Sequence, residues 1–171
     1  EDQFEVYKKV VEALSPRPVV IRTFDVGGDK FAELVNGHEE NNPFLGCRAI
    51  RFMLREKEVF KTQIRALLRA SAFGSLKILL PMISSVQELL SAKEIINEVK
   101  EDLTENGLIF SDDVKLGCMI EVPSAALTCD LLAKECDFLS LGTNDLVQYS
   151  LAVDRGNESL DYLYNPLDPS I

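Results

Sequence analysis

The 171-residue chain is 46% hydrophobic and 27% charged, which is typical of one globular domain and excludes a disordered or low-complexity protein. Its net charge of −10 disfavours nucleic acid and anionic membrane surfaces as partners, because both would be repelled. No apolar run is long enough for a transmembrane helix, and the acidic start does not resemble a signal peptide, so we expect a soluble, cytoplasmic protein without membrane insertion.

The first half of the chain predicts a helix, a strand and two more helices. Apolar residues at helical spacing predict a first helix that ends at Ser15-Pro16, since a residue before proline avoids the helical region. The β-branched run 18–23 predicts a strand, and Gly27-Gly28 in the loop after it permit a tight backbone. Asn42-Pro43 predicts the start of a helix that continues into FLGCRAIRFML, and a second helical stretch covers 60–68.

The second half repeats the strand and helix alternation. A buried-type strand is predicted at 76–82, and Ser85 with Glu88 forms a capping box at the start of a long helix. The apolar face of that helix consists of Leu89, Ala92, Ile96, Val99 and Leu103. Further strands are predicted at 114–122 and 138–142, and the helix between them carries Leu127, Leu131 and Leu132.

Four strands that are apolar along their length and separated by helices predict an α/β fold with a parallel sheet covered on both faces. We interpret residues 1–171 as a single domain that holds about four of the eight β/α units of a TIM barrel. The chain starts inside a helix and stops at turn residues, so we expect a fragment of a barrel with two unpaired strand edges, which favour self-association.

Ionisable side chains gather where these strands end. In parallel β/α folds the reactive groups lie at the carboxyl ends of the strands. Glu121 and Asp145 follow consecutive strands, where two carboxylates can share a hard cation such as Mg²⁺ and leave positions for water and substrate oxygens. Cations that pair with phosphate or carboxylate come after the first strand, in the segment that follows, and after the fourth strand, and these are Arg22, Lys30, Arg48 and Arg155. The pattern predicts a small, multiply charged anion held beside a metal.

Each of these features also has a simpler structural explanation. Glu121 could cap the following helix, Asn144-Asp145 could form a turn or an N-cap, and Lys30 could be a solvated charge. Gly27-Gly28 alone matches no phosphate-loop spacing and favours a structural turn. His38 stands in a polar segment as the only histidine, and we expect it at the surface. Taken together, the residues favour the binding site.

The cysteines offer no metal or redox motif. The four are Cys47, Cys118, Cys129 and Cys136, with no CxxC pair among them. We expect all four to be reduced packing residues, as buried thiols commonly are.

Four segments closely resemble one enzyme family. They are VIRT at 20–23 running on to GGDK at 27–30, NPFLG at 42–46 with RAIR at 48–51, SLGTNDL at 140–146, and LAVDRGN at 151–157. The sequence is similar to Enzyme I of the bacterial phosphotransferase system, the phosphoenolpyruvate-protein phosphotransferases. The similarity covers nearly the whole chain, and the combination of motifs distinguishes it from pyruvate phosphate dikinase and phosphoenolpyruvate synthase, which share the superfamily.

The resemblance implies roles for individual residues. In that family the arginines matching Arg22 and Arg155 grip the phosphoryl group, and Arg48 matches an arginine near the substrate. The resemblance places Asn144 and Asp145 among the residues that bind phosphoenolpyruvate, and we add Lys30 to the substrate-binding residues because of its mobile charge. The carboxylates matching Glu121 and Asp145 hold Mg²⁺ in the family.

The family's barrel binds phosphoenolpyruvate, passes the phosphoryl group to a histidine on a separate domain and then to the carrier protein HPr, for sugar uptake. That histidine, the cysteine that protonates the enolate, and one more phosphate-binding arginine lie outside this segment, and His38 does not match the phosphorylated histidine. We therefore expect no catalytic residue in this segment, which carries part of the site and cannot complete phosphotransfer alone. The resemblance also implies a homodimer formed through the barrel.

Two other functions remain open from the sequence. One is a Mg²⁺-dependent aldolase or lyase acting on pyruvate-like acids, although GGDK and VDRGN supply more phosphate-facing cations than such a reaction needs. The other is a non-catalytic association module, which would form a dimer and bind no phosphoenolpyruvate.

Overall fold

The computed structural model describes residues 1–25 and 41–171, and within them four strands form one parallel sheet. The strands are β1 (Val19–Arg22), β2 (Leu76–Leu80), β3 (Lys115–Ile120) and β4 (Phe138–Leu141). Their spatial order is β1-β2-β3-β4, and every neighbouring pair is parallel. The order has no reversal point, which distinguishes one side of a β/α barrel from a doubly wound sheet. The predicted α/β fold, a partial barrel, is confirmed.

Helices connect and cover these strands. They are α1 (Asp2–Leu14), α2 (Ala49–Arg55), α3 (Lys57–Ala70), α4 (Val86–Glu105), α5 (Pro123–Leu127), α6 (Cys129–Leu132) and α7 (Thr143–Leu151), with 3-10 turns at Pro43–Leu45, Ser71–Phe73 and Glu158–Leu163. Among the helices in the described part of the chain, none has the length and apolar character needed to cross a bilayer.

The core lies between the central strands and the helix layer. In β2, Ile78 and Leu80 are fully buried, and Phe60 and Ile64 of α3 join them. Helix α3 contacts both α1 and α4, so the layer is continuous over this part of the sheet. The predicted apolar face of α4, from Leu89 to Leu103, is buried at every one of its five positions.

The predicted capping box forms at the start of α4, but the Glu88 carboxylate bonds to Ser84 and not to Ser85. Ser85 Oγ accepts a hydrogen bond from the backbone N–H of Glu88 at 3.3 Å. The Glu88 carboxylate returns to Ser84, accepting from its N–H at 2.7 Å and from its hydroxyl at 2.8 Å. The reciprocal pairing satisfies free donors at the helix start, as the motif predicts.

The helix predicted from Asn42-Pro43 onward is wrong in its first turn. Pro43–Leu45 forms only a short 3-10 turn, and Asn42 makes no side-chain cap. The backbone of Arg48 is extended, with φ −131° and ψ 167°, and helix α2 begins after it. Hydrogen bonds from the Arg48 side chain to Asp25 hold this residue out of the helix.

The single helix predicted between β3 and β4 is also wrong. It is divided into α5 and α6 at Thr128, whose hydroxyl donates to the carbonyl of Ser124 at 2.8 Å, a type of bond that bends helices. Leu132 is buried, whereas Leu127 and Leu131 are 85% and 45% exposed.

Two expectations about burial also fail in part. The outer strand β4 is not covered on both faces, because Leu139 and Leu141 are exposed. Of the cysteines, Cys118 is buried as expected, but Cys129 is exposed and therefore not a packing residue. His38 and Gly27-Gly28 lie outside the described residues.

The contact between β3 and β4 predicts the effect of one added methyl group. A Cβ atom at Gly117 would lie 2.5 Å from the ring of Phe138, its partner across the strands. We expect Gly117→Ala to lower the free energy of unfolding by about 1–3 kcal/mol through overpacking, measured by urea denaturation. Adding Phe138→Leu should recover part of the loss, and an equal loss with either side chain at 138 would contradict this explanation.

Candidate functional site

The carboxyl edge of the sheet brings together ionisable side chains from the ends of β1, β3 and β4, and β2 contributes a backbone N–H there. Arg22 ends β1 and Asp25 follows it, Met82 follows β2, Glu121 follows β3, and Asp145 lies in the first turn of α7 after β4. Glu121 and Asp145 are 2% and 5% exposed, which is unusual for carboxylates and requires compensation by partners or ligands.

Asp25 organises two of the predicted arginines. Its carboxylate accepts hydrogen bonds from Arg48, from Nε at 3.1 Å and from Nη2 at 2.8 and 2.9 Å. Nη1 of Arg22 lies 3.4 Å from the same carboxylate, and Nη2 of Arg48 lies 3.5 Å from Asp145 Oδ2. The buried guanidinium of Arg48 is therefore held by carboxylates on both sides, as a buried charge requires.

Arg155 approaches the other oxygen of Asp145. Its Nη1 lies 3.3 Å from Oδ1 as an ion pair, and this buried oxygen has no hydrogen-bond partner within residues 1–25 and 41–171. Helix α7 ends at Ala152 in the left-handed conformation, and the backbone N–H of Arg155 then donates to Gln148 Oε1 at 3.0 Å. The turn after α7 thus returns the arginine to the edge of the sheet.

Two aromatic residues that the sequence analysis did not select hold the arginines in place. The ring of Phe44 lies 5.7 Å from Arg48 Cζ and 5.8 Å from Arg155 Cζ, within cation–π distance of both. The Tyr149 hydroxyl accepts from Arg48 Nη1 at 3.3 Å and donates to the carbonyl of Phe44. Phe44 lies in the NPFLG segment, which was a signal for it, whereas nothing in the sequence marks Tyr149. The contacts of Phe44 with Arg155 and of Tyr149 with Arg48 join segments about a hundred residues apart.

Glu121 is a buried carboxyl group with an altered affinity for protons. Burial raises its pKa to about 7, and the charges of Asp145 and Asp25 act in the same direction. The backbone N–H of Met82 donates to its Oε1 at 2.6 Å and opposes the rise. A Cβ atom at Gly142 would lie 2.5 Å from Glu121 Oε2, so only glycine leaves room for this carboxylate.

The structure also tests the simpler explanations given above for Glu121, Asn144 and Asp145, namely that they cap helices or form a turn. Glu121 does not cap the helix that follows it, because its carboxylate accepts from a neighbouring strand end. Helix α7 has Gly142 at its N-cap, so neither Asn144 nor Asp145 serves as the cap. Asn144 is exposed beside the site, and its carbonyl accepts from the Tyr164 hydroxyl at 3.2 Å. Lys30 lies outside the described residues.

The donor set fits a hard divalent cation. Glu121 and Asp145 offer carboxylate oxygens, and Oδ1 of Asp145, which accepts no hydrogen bond from the described residues, is a buried negative atom that a cation would satisfy. Within residues 1–25 and 41–171, no group of three or more Asp, Glu, His or Cys side chains is arranged to hold a metal. These two carboxylates could hold such an ion only if water or substrate oxygens completed the coordination.

Comparison with known proteins identifies the family. The model of the family "PEP-utilising enzyme, PEP-binding domain" matches residues 1–171, and the chain belongs to this family. Over all 171 residues it is 52% identical to the phosphoenolpyruvate-protein phosphotransferases of Staphylococcus aureus and Bacillus subtilis, and 53% identical to that of Haemophilus influenzae. The chain spans 30% of the length of each of these curated relatives.

The raised pKa of Glu121 predicts a pH-dependent stability. In the unfolded chain this carboxyl ionises near 4.5, whereas the folded chain keeps the proton up to about pH 7. Stability should therefore fall as the pH rises between these values, by about 3 kcal/mol in total, because the unfolded state loses its proton first.

The variant Glu121→Gln should remove that fall, since the amide keeps an acceptor for Met82 N–H and does not titrate. Urea denaturation of the metal-free chain at pH values from 4 to 8 measures it. The exposed Glu94→Gln, on α4, is the matched control and should retain the wild-type slope. A wild-type slope in Glu121→Gln would show that Glu121 is ionised in the fold.

Proposed function

We propose that this chain is the phosphoenolpyruvate- and Mg²⁺-binding part of a phosphotransferase. The complete protein would pass the phosphoryl group to a histidine on another domain and then to the carrier protein HPr, for sugar uptake. The observation that carries the proposal is the convergence of Arg48 and Arg155 on the buried carboxylate of Asp145. The relatives are phosphoenolpyruvate-protein phosphotransferases, which supports the choice of substrate.

The arginines divide into two roles according to their exposure. The side chains of Arg22 and Arg155 are 47% and 36% exposed, which leaves donors for phosphoryl oxygens. The side chain of Arg48 is 10% exposed and is already paired with Asp25, so its main role is to position the edge of the site. Asn144 and Lys30 would add further polar contacts to phosphoenolpyruvate.

Glu121 and Asp145 would hold the metal. Bound Mg²⁺ would neutralise charge on the phosphoryl group during transfer. Asp145 would contact the cation while remaining close to Arg155, which links the metal position to the phosphate-binding arginine. The low exposure of both carboxylates excludes water from this side of the site and strengthens their interactions.

Phosphoryl transfer depends more on positioning and charge neutralisation than on covalent chemistry by the binding domain. In the proposed reaction, the bond from phosphorus to the enol oxygen breaks and a bond from phosphorus to a histidine nitrogen forms. This chain would supply the positioning groups, and the acceptor histidine would belong to another domain. The 171-residue chain alone should therefore bind substrate without turnover. A cytoplasmic location and a homodimer form part of the same proposal.

Substrate binding by arginine can be tested by calorimetric titration of phosphoenolpyruvate with Mg²⁺. Arg155→Ala should weaken binding by about 1.5–3 kcal/mol, the usual loss for a charge-assisted hydrogen bond. Arg55→Ala is the matched control, because Arg55 is a surface arginine of α2 whose ion-pair partner is the neighbouring Glu56, and it should bind as the wild type does. Unchanged affinity in Arg155→Ala would refute the assigned role, and cleavage of oxaloacetate by the wild type would favour a lyase.

The metal assignment has its own test. Asp145→Asn preserves the shape of the side chain but removes its charge, so the affinity for Mn²⁺, used as a paramagnetic substitute for Mg²⁺, should fall at least tenfold. Water-proton relaxation measures this without turnover. Asp130→Asn on the exposed surface of α6 is the control and should leave Mn²⁺ binding unchanged. Equal Mn²⁺ affinity in wild type and Asp145→Asn would exclude Asp145 as a ligand.

A further inference from the structure

Two cysteines that are not part of the charged cluster at the carboxyl edge of the sheet lie close together. Cys118 is a buried residue of β3, and Cys136 is a partly buried residue of the turn that precedes β4. Their Sγ atoms are 3.7 Å apart. A disulfide bond is about 2.05 Å long, so the two sulfur atoms must approach by about 1.7 Å, a distance within the reach of side-chain rotation.

The two thiols differ in their access to solvent. Cys136 lines a cavity of about 340 Å³ between α4 and the turn before β4. Charged residues around the cavity are Lys93, Lys100, Lys134, Glu135 and Asp137. Cys118 is 0% exposed and does not line the cavity, and burial raises its pKa to about 12, so it remains a protonated thiol. A small polar oxidant therefore reaches Cys136 first.

Cys136 is also able to turn toward its neighbour. Its thiol donates a hydrogen bond of 3.4 Å to the carbonyl of Phe138, and because a thiol is a weak donor, this contact costs little to break. Once this bond breaks, the Cys136 side chain can rotate toward Cys118. Cys118 is fully buried, so the movement that brings the two sulfur atoms together is made by Cys136.

We propose that Cys118 and Cys136 form an intramolecular disulfide when the protein is exposed to hydrogen peroxide. The Cys136 sulfur first attacks the peroxide, whose O–O bond breaks, giving a sulfenic acid and one water molecule. The Cys118 sulfur then attacks the sulfenic sulfur, the S–O bond breaks, and the departing hydroxide takes the thiol proton to form a second water. Peroxide is reduced and the two thiols are oxidised.

The disulfide bond would connect β3 with the start of β4, the two strands that lead to Glu121 and Asp145. Glu121 follows β3, which contains Cys118, and Asp145 follows β4, which begins two residues after Cys136. Oxidation would thus fix β3 to the start of β4 and enclose the segment that contains α5 and α6.

The exposed Cys129 supplies the matched control. Trypsin cleaves after Lys115, Lys134 and Arg155, which places Cys118 and Cys129 in peptide 116–134 and Cys136 in peptide 135–155. In Cys129→Ser, peroxide should remove the mass of two hydrogen atoms from the intact chain. Under non-reducing conditions the two peptides should appear joined, and dithiothreitol should separate them.

Two double variants distinguish formation of the sulfenic acid from formation of the disulfide. In Cys129→Ser/Cys118→Ala, peroxide should give a Cys136 sulfenic acid that dimedone captures, with no joined peptides. Cys129→Ser/Cys136→Ser should show neither change, and circular dichroism checks the fold of both variants. The proposal is overturned if Cys129→Ser treated with peroxide carries sulfinic acid at Cys136 without the joined peptides, or if the peptides are joined only between two chains on a non-reducing gel.

Discussion

The buried charge of Arg48 constrains the structure at the carboxyl edge of the sheet. A guanidinium removed from water needs paired carboxylates and hydrogen bonds, and Asp25, Asp145 and Tyr149 provide them. The pairing of Arg48 with these groups keeps its backbone extended, so α2 begins only after it. The pairing also brings the 3-10 turn at Pro43–Leu45 against α7. The positions of the more exposed arginines follow, since Arg22 shares Asp25 and Arg155 shares Asp145.

Backbone strain is concentrated at the same edge. Within the described ranges, the non-glycine residues with positive φ are Ala49 at 50°, Met82 at 59° and Ala152 at 53°. Ala49 follows Arg48, Met82 donates to Glu121, and Ala152 ends the helix before Arg155. Such conformations cost about 1–3 kcal/mol each and persist where the surroundings fix them, often at functional sites. The raised pKa of Glu121 is a second cost at this edge.

The strand and helix order could be predicted because it depends on local hydrophobic patterns, and Glu121 and Asp145 could be selected because parallel strands end at one edge. The break before α2 could not be predicted, since it results from a bond between Arg48 and a residue 23 positions away. The same limit applies to the contact between the ring of Phe44 and Arg155, which are far apart in the sequence. The division at Thr128 has a local cause, the hydrogen bond from its hydroxyl to the preceding turn. The sequence alone does not show whether a threonine in a helix forms such a bond.

The hydrogen bond from Arg48 to Tyr149 joins residues 101 positions apart. During synthesis, Arg48 and Asp25 leave the ribosome early and can pair with each other, while the groups that complete their surroundings have not yet been translated. The nascent chain therefore carries an incompletely shielded charge pair until α7 emerges. Long-range contacts of this kind form late and slow the folding of a domain. The carboxyl edge of the sheet is consequently among the last parts of this chain to acquire its final structure on the ribosome.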